Sequence, residues 1–290
     1  MPKHPPYIEF ENISKKFNNT LVLDDLSISI PYGEVTGIIG PSGSGKTTML
    51  NLLIGFMKPT KGRILFQSRN IIKDFSNVTT LFGFATQEFS FYGDLTIEEN
   101  LFYFGTLYKL KKEEIKARTD ELLKLLDIDY ARKTLARLLS AGMGRRLDIA
   151  CALIHNPKVL ILDEPTQDLD PILRRELVAS VRRINKEKET TIVITSHLLG
   201  EIDDLCDTIA ILYKGKIVKM GTPTQLKQFY GKKSIDDVFT FIVQKSERPT
   251  VAVTKKEYKE KVKEQEKKIF SIFGHLLKRD EEKKKEKKVK

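Results

Sequence analysis

The sequence predicts an α/β fold, a mixed sheet with helices on both faces, to which two subdomains are added. Short β-branched runs at 159–162 and 191–194 alternate with helical patterns such as 172–186, an order typical of parallel strands buried between helices. A charged stretch at 97–153, with apolar residues at helical spacing, interrupts that alternation. We therefore expect an inserted helical subdomain at about 88–153.

The first part of the chain predicts an antiparallel β subdomain. Residues 7–14 and 26–30 alternate apolar and polar side chains, as half-buried strands do. The composition changes near residue 245, where a short linker is followed by a segment rich in Lys and Glu. The prediction is one globular domain over 1–245 and a linker with a partly disordered, amphipathic tail over 246–290.

The net charge of +11 is concentrated in this tail. Residues 255–290 contain 15 basic and 8 acidic side chains, which leaves little excess charge elsewhere, so we expect no specific nucleic-acid partner. Five apolar tail residues recur at helical spacing: Ile269, Ile272, Phe273, Leu276 and Leu277. Three interpretations stay open: a solvated charged segment, a helix packed on protein, and a basic helix on an anionic membrane surface.

No stretch approaches the roughly 18 apolar residues that cross a bilayer, and the first residues lack the apolar core of a signal peptide. We therefore expect a cytoplasmic protein. Cys151 and Cys206 stand in apolar surroundings without C-x-x-C spacing, which favours buried free thiols over a metal or redox site.

Residues 40–47 match the pattern G-x-x-x-x-G-K-[ST] in full, directly after a predicted strand at 34–39 and before a predicted helix at 47–56. Glycines let backbone N–H groups approach a phosphate closely, and the positive end of the helix dipole favours an anion there. Lys46 then supplies a charge to the β- and γ-phosphates, and the Thr47 hydroxyl supplies a ligand for Mg²⁺. The loop predicts a P-loop NTPase with a RecA-like core and with ATP and Mg²⁺ as cofactors. The predicted nucleotide contacts here are Gly40, Pro41, Ser42, Gly43, Ser44, Gly45, Lys46, Thr47 and Thr48.

Two carboxylates, Asp163 and Glu164, follow the apolar run at 159–162. In a parallel sheet the ends of the strands face the ligand crevice. Asp163 suits the Mg²⁺ shell, and Glu164 can polarise a water for in-line attack on the γ-phosphate. Alone, the pair is also compatible with a strand that runs into an acidic turn; beside the glycine loop it predicts hydrolysis.

Residues 139–143 are Leu-Ser-Ala-Gly-Met and lie about twenty residues before Asp163. In this sequence and position they resemble the LSGGQ-type signature of the ATP-binding cassette (ABC) ATPases. The chain resembles that family from residue 7 to about 230. The phrases at 91–100 and 163–171 are similar to those of the exporter branch, which includes drug and lipid exporters.

The resemblance implies that two cassettes pack head to tail, so that Ser140, Ala141 and Gly142 of one chain cap the γ-phosphate bound by the other. Read from the residues alone, a serine and a glycine at a helix start also form an ordinary N-cap. Position 141 departs from the family, because alanine replaces a glycine. If that position requires a positive φ, alanine strains it.

The resemblance also implies roles for three scattered residues. Gln87 corresponds to a Mg²⁺ ligand that links the site to a transmembrane partner, and His197 to a contact with the γ-phosphate and the attacking water. With Lys46 and Glu164 they complete the predicted catalytic set. Phe17 lies where the family stacks an aromatic ring on adenine, although an aromatic residue at a strand end is as often part of the core.

Two further departures bear on the rate of hydrolysis. Gly144 places a residue of low helix propensity inside the signature helix, at a cost of about 1 kcal/mol. Asp168 stands where the family has glycine or another small residue. Both leave the prediction of ATP binding unchanged.

The biological role implied by the resemblance is the ATPase subunit of an exporter, at the inner face of the cell membrane. Its implied partners are a transmembrane permease on another chain and a second ATPase subunit, identical or different. Two alternatives stay open: a soluble ABC mechanoenzyme acting on DNA or ribosomes, and a regulatory cassette with weak turnover. The short span between Lys46 and Asp163 argues against the long coiled coil of many such mechanoenzymes.

Overall fold

The structure is a computed structural model that describes residues 6–74, 78, 80–197, 200 and 202–247. The chain divides into two compact units, Met1–Val243 and Gln244–Lys290. Of the second unit only 244–247 are described, as the end of the last helix. The predictions for the tail, including its apolar stripe and a membrane contact, therefore lie outside the described residues.

The described part of the chain contains ten strands. They are β1 Pro6–Phe17, β2 Thr20–Pro31, β3 Val35–Ile39, β4 Lys61–Phe66, β5 Arg69–Asn70, β6 Phe82–Ala85, β7 Val159–Asp163, β8 Thr191–Ser196, β9 Thr208–Tyr213 and β10 Lys216–Gly221.

The helices fall between and after these strands. They are α1 Lys46–Leu53, α2 Ile97–Leu107, α3 Lys112–Leu125, α4 Ala141–Leu153, α5 Pro171–Lys188, α6 Ile202–Leu205, α7 Pro223–Tyr230 and α8 Ile235–Glu247. Two short 3₁₀ turns, Asp129–Ala131 and Ala136–Leu138, separate α3 from α4.

A six-stranded mixed sheet forms the centre, with the strand order β10-β9-β3-β8-β7-β6. The five strands from β9 to β6 run parallel, and β10 is antiparallel at one edge. Alternate residues of β7 enter different clusters: Leu160 and Leu162 pack with the helical subdomain and α5, Val159 and Ile161 with α1 and the N-terminal strands. Both faces of the sheet are therefore covered, as predicted.

The N-terminal strands form a separate four-stranded antiparallel sheet with the order β2-β1-β4-β5. Buried side chains alternate in part of each strand, at Ile8 and Phe10 of β1 and at Leu26, Ile28 and Ile30 of β2, which is why the two-residue period identified them. Both strands extend beyond the predicted segments. The helical subdomain is also observed, as α2, α3 and α4 with the two 3₁₀ turns between them.

One predicted helix end was wrong. The helix after the glycine loop ends at Leu53 and not at residue 56, because the chain turns at Gly55 with φ +76°. The last helix continues to Glu247, two residues into the predicted linker.

Cys151 and Cys206 are buried free thiols, as predicted. Among the described helices, none is both long enough and apolar enough to cross a bilayer.

His155 lies just after α4 and contacts Phe82, the first residue of β6. Its Nε2 atom is 3.1 Å from the carbonyl oxygen of Phe82, and its ring stacks on that of Tyr108 with centroids 3.6 Å apart. Burial lowers the pKa of His155 from 6.5 to about 4, since the charged imidazolium loses its hydration there.

We expect this histidine to make the protein less stable in mild acid. Between pH 6.5 and about 4 the unfolded chain binds a proton that the folded chain excludes, so the free energy of unfolding falls as the pH falls through this window. The slope contributed by one group is at most about 1.4 kcal/mol per pH unit. Urea unfolding of wild type and His155→Gln across this range measures it. Equal pH dependence in both proteins would contradict the prediction.

Candidate nucleotide-binding site

The predicted site residues gather at one edge of the central sheet. The strands β3, β8, β7 and β6 are parallel neighbours, so their carboxyl ends lie together. The glycine loop follows β3, Asp163 ends β7, His197 follows β8, and Gln87 lies two residues beyond β6. The sheet topology thus brings together residues that are far apart in sequence.

The glycine loop has the backbone shape that an anion site requires. Gly43 and Gly45 have φ values of +77° and +107°, which L residues with side chains rarely adopt. A Cβ atom on Gly40 would lie 2.2 Å from the carbonyl oxygen of Leu212. Helix α1 begins at Lys46, inside the loop, and the N–H groups of a helix's first turn have no partner within the helix and favour an anion.

Lys46 is 6% exposed and folds back over the loop. Its Nζ donates hydrogen bonds to the carbonyl oxygens of Gly40, at 2.8 Å, and Pro41, at 3.3 Å. It also forms an ion pair with Oε1 of Glu164 at 3.1 Å. The ammonium group is therefore held at the loop by neutral carbonyls and by one carboxylate.

The second oxygen of Glu164 is engaged by His197. Oε2 accepts a hydrogen bond from the His197 backbone N–H at 3.1 Å and lies 2.5 Å from Nδ1 of the ring. The hydroxyl of Thr195 accepts from the Glu164 N–H at 2.9 Å and donates to Oδ1 of Asp163 at 2.5 Å. One threonine thus fixes the orientation of both carboxylate residues.

A cleft of about 430 Å³ opens beside the loop. Two of its residues were missed by the sequence analysis, Val22 and Gln167. Gln167 accepts a hydrogen bond from Nε2 of Gln87 at 2.7 Å, and Val22 belongs to β2. The cleft is lined by Val22, Ser42, Gly43, Gly45, Lys46, Thr47, Thr48, Gln87, Glu164, Gln167 and His197.

Several predicted site residues lie outside the lining of this cleft. Gly40, Pro41 and Ser44 belong to the loop itself, and Asp163 lies beside Glu164; the other four are Phe17, Ser140, Ala141 and Gly142. Phe17 is 43% exposed at the end of β1, with the Lys15 ammonium 5.0 Å from its ring centroid. Ser140 caps α4, and its Oγ accepts from the N–H of Met143 at 3.4 Å. Ala141 and Gly142 form the first turn of that helix. The roles of these last four stay predictions.

Residues 141 and 168, at which the sequence departs from the family, have different backbone conformations. Ala141 opens helix α4 and does not have a positive φ, so the condition for strain at this position is not met. Asp168 does adopt a positive φ, +61°, a conformation that glycine takes most easily and that Asp tolerates better than most residues.

The donor set near the carboxylates fits Mg²⁺. This hard cation binds one or two protein oxygens and completes its shell with phosphates and water, and Thr47, Asp163 and Gln87 offer hydroxyl, carboxylate and amide oxygens. Among the described residues no group of three His, Cys, Asp or Glu side chains could hold a metal ion alone. The residues therefore fit a cation that arrives with phosphate, and do not form an all-protein metal cage.

Comparison with known proteins gives consistent results. The family model described as ABC transporter matches residues 23–167. The uncharacterized ABC transporter ATP-binding protein YhcH of Bacillus subtilis is 35% identical over 85% of this chain and 77% of its own length. The bacitracin transport ATP-binding protein BcrA of Bacillus licheniformis is 35% identical over 73% of this chain and 68% of its own.

Solved structures extend the likeness to three dimensions. The cbiO1 protein of Clostridium perfringens, described as part of the ABC transporter complex cbiONQ, has a TM-score of 0.72 and 27% identity over 82% of this chain and 98% of its own. The dimeric ATP-binding cassette MJ0796 in a post-hydrolysis state with ADP and Pi has a TM-score of 0.66. It is 27% identical over 74% of this chain and 98% of its own.

Proposed function

This chain belongs to the ABC transporter family of ATP-binding proteins, and from that premise we propose that it hydrolyses MgATP in the cleft beside Lys46 to drive export through separate transmembrane subunits. The observation that carries the proposal is the Lys46–Glu164–His197 cluster, held at the end of parallel strands next to an anion-binding loop. A cation for phosphate and a side chain that positions the attacking water are groups that in-line phosphoryl transfer uses, and here the histidine bonds the carboxylate that would position the water.

In this proposal the β- and γ-phosphates bind to the N–H groups of the loop and draw Lys46 from Glu164 to the phosphate oxygens. The carboxylate of Glu164 then accepts a proton from the attacking water. His197, already bonded to Oε2 of Glu164 at 2.5 Å, holds that carboxylate in place and reaches the γ-phosphate from β8. Gln87 completes the set from the end of β6.

Mg²⁺, held by Thr47 and Asp163 with Gln87 beside them, would neutralise the charge that builds up on the phosphates during transfer. Thr195 supports this role, because its hydroxyl bonds Oδ1 of Asp163 and the N–H of Glu164. The same residue thereby couples the position of the metal ligand to that of the base.

Ser140, Ala141 and Gly142 act on the nucleotide of a second cassette. Their position at the free N-terminus of α4, outside the lining of the chain's own cleft, supports a head-to-tail dimer in which this helix end meets the partner's γ-phosphate. Phe17, exposed on β1, is proposed as the surface for adenine.

The transmembrane partner is a permease on another chain, which would place this subunit at the inner face of the cell membrane. Export is proposed because the relatives YhcH and BcrA are described as an ABC transporter ATP-binding protein and a bacitracin transport ATP-binding protein. Neither a mechanoenzyme for DNA or ribosomes nor a regulatory cassette is favoured, since these relatives are transporter ATP-binding proteins.

A charge placed at Ser140 tests the dimer. Asp caps a helix as well as Ser does, so Ser140→Asp keeps α4 but sets a carboxylate against the partner's γ-phosphate. We expect dimerisation with magnesium and a hydrolysis-resistant ATP analogue, measured by light scattering, to weaken by at least about tenfold, because like charges across an interface repel.

The matched control is Ser140→Asn, which keeps the cap and stays neutral, and it should dimerise nearly as wild type does. A Ser140→Asp protein that dimerises normally would contradict the proposed contact. A wild-type protein that stays monomeric while it binds ATP would count against a dimer of two identical chains.

A further inference from the structure

Helix α4 contains an ion pair that is almost completely buried. Arg145 and Asp148 lie one turn apart, with side chains 6% and 0% exposed and with Nη1 and Oδ2 separated by 3.7 Å. Burial lowers the pKa of Arg145 and raises that of Asp148, which reflects the loss of hydration by both charges. A buried ion pair of this kind adds little to the free energy of unfolding by itself. Both side chains make further contacts with the loop that carries Gln87.

The guanidinium of Arg145 donates hydrogen bonds to the loop that carries Gln87. Nη1 donates to the carbonyl oxygen of Thr86 at 2.8 Å, and Nη2 donates to that of Gln87 at 2.9 Å. The guanidinium carbon also lies 4.9 Å from the ring centroid of Phe89. The planar fork of arginine suits two neighbouring carbonyls and an aromatic face at once.

Asp148 holds the other end of the same loop. Its Oδ1 accepts from the backbone N–H of Ser90 at 3.0 Å and from the Ser90 hydroxyl at 2.5 Å. The segment 86–90, called the Gln87 loop below, is thus attached at both ends to side chains on one turn of α4.

The packing of Phe89 against α4 explains why residue 144 is a glycine. A Cβ atom at residue 144 would lie 3.0 Å from Cζ of Phe89, closer than side-chain atoms normally pack. The glycine that weakens the helix therefore lets the Phe89 ring lie against α4, beside Arg145.

We propose that Arg145, together with Asp148, is a positioning residue that makes the Gln87 loop and helix α4 move as one body. Gln87 lines the chain's own nucleotide cleft, whereas Ser140 at the start of α4 faces the nucleotide of the second cassette. The contact of Ser140 with a second cassette is part of the proposed function, and the inference rests on it. Arg145 then links the two nucleotide sites of the dimer through one rigid turn of helix.

Arg145→Lys tests the link while it keeps a positive charge beside Asp148. A lysine ammonium cannot bond both carbonyls and also stack on Phe89. We expect hydrogen exchange at the Ser90 amide to accelerate about tenfold and kcat for ATP to fall about tenfold, as for the loss of charged hydrogen bonds. The Kd for ATP should stay within about twofold, because Lys46 and the glycine loop are unchanged.

The matched control is Arg146→Lys, in the next residue of α4. The described contacts of Arg146 are with the carbonyl oxygen of Leu126 and with Glu176, away from the Gln87 loop, so exchange at Ser90 should not change. Ser90→Ala gives a second, milder variant that removes only the hydroxyl bond to Asp148. It should accelerate exchange in the Gln87 loop by about threefold, as for one hydrogen bond.

A double-mutant cycle shows whether Arg145 acts through Gln87. In a Gln87→Ala background, Arg145→Lys should lower kcat no further. An equal loss in both backgrounds, or unchanged exchange at residues 86–90, would overturn the inference. If the wild-type protein did not hydrolyse ATP, the proposed function would fail, while the exchange measurement would still decide whether Arg145 holds the loop.

Discussion

Replacing Glu164 by Gln is expected to lower steady-state phosphate release by about 100- to 10,000-fold, the range for loss of a general base. The amide keeps the size of the side chain but cannot accept a proton from the attacking water. It also removes the negative charge 3.1 Å from the Lys46 ammonium, which in the wild type competes with phosphate for that lysine. The affinity for ATP should therefore be at least as high as that of wild type.

Phosphate release and calorimetric ATP binding, measured on the same protein, separate the two effects. Glu189→Gln, at the exposed end of α5, is the matched control and should hydrolyse ATP as wild type does. Wild-type turnover in the Glu164→Gln protein would remove Glu164 from its proposed role. Loss of turnover together with loss of binding would point to a collapsed cleft.

The position of the site could be predicted from the sequence because it depends on strand order. The glycine loop, Asp163 and His197 each follow a short apolar run, and parallel strands bring such ends to one edge of a sheet. The structure confirms the mixed sheet and the helical subdomain. Element ends were less predictable: α1 stops at Leu53 because of the turn at Gly55, a local event that periodicity does not show.

Pairwise contacts across the site could not be predicted. Lys46 and Glu164 follow β3 and β7, which are not even neighbours, because β8 lies between them. Gln167 and Arg145 carry no motif of their own, and their contacts with Gln87 depend on how two loops and a helix pack. Helix propensity alone makes Gly144 unfavourable, and the reason for it, the Phe89 ring packed against α4, depends on the tertiary structure.

Replacing Lys46 by Ala is expected to weaken ATP binding by about 100-fold, since charge-assisted hydrogen bonds to two phosphates contribute about 3 kcal/mol together. Lys46 is the buried cation that reaches over the loop, and the remaining N–H groups carry only partial charges. Titration calorimetry with magnesium measures the change. Lys61→Ala, on an exposed strand residue, is the control for loss of a lysine elsewhere.

This substitution has a second effect that must be separated from the first. Without Lys46, the carboxylate of Glu164 is left buried with His197 alone beside it, and an uncompensated buried charge lowers stability by about 3 to 5 kcal/mol. In Lys46→Ala/Glu164→Gln this charge is absent, so the melting temperature should recover while ATP binding stays weak. If the double variant instead regained wild-type affinity, the loss in Lys46→Ala would have come from misfolding, and the ammonium group would have no direct role at the phosphates.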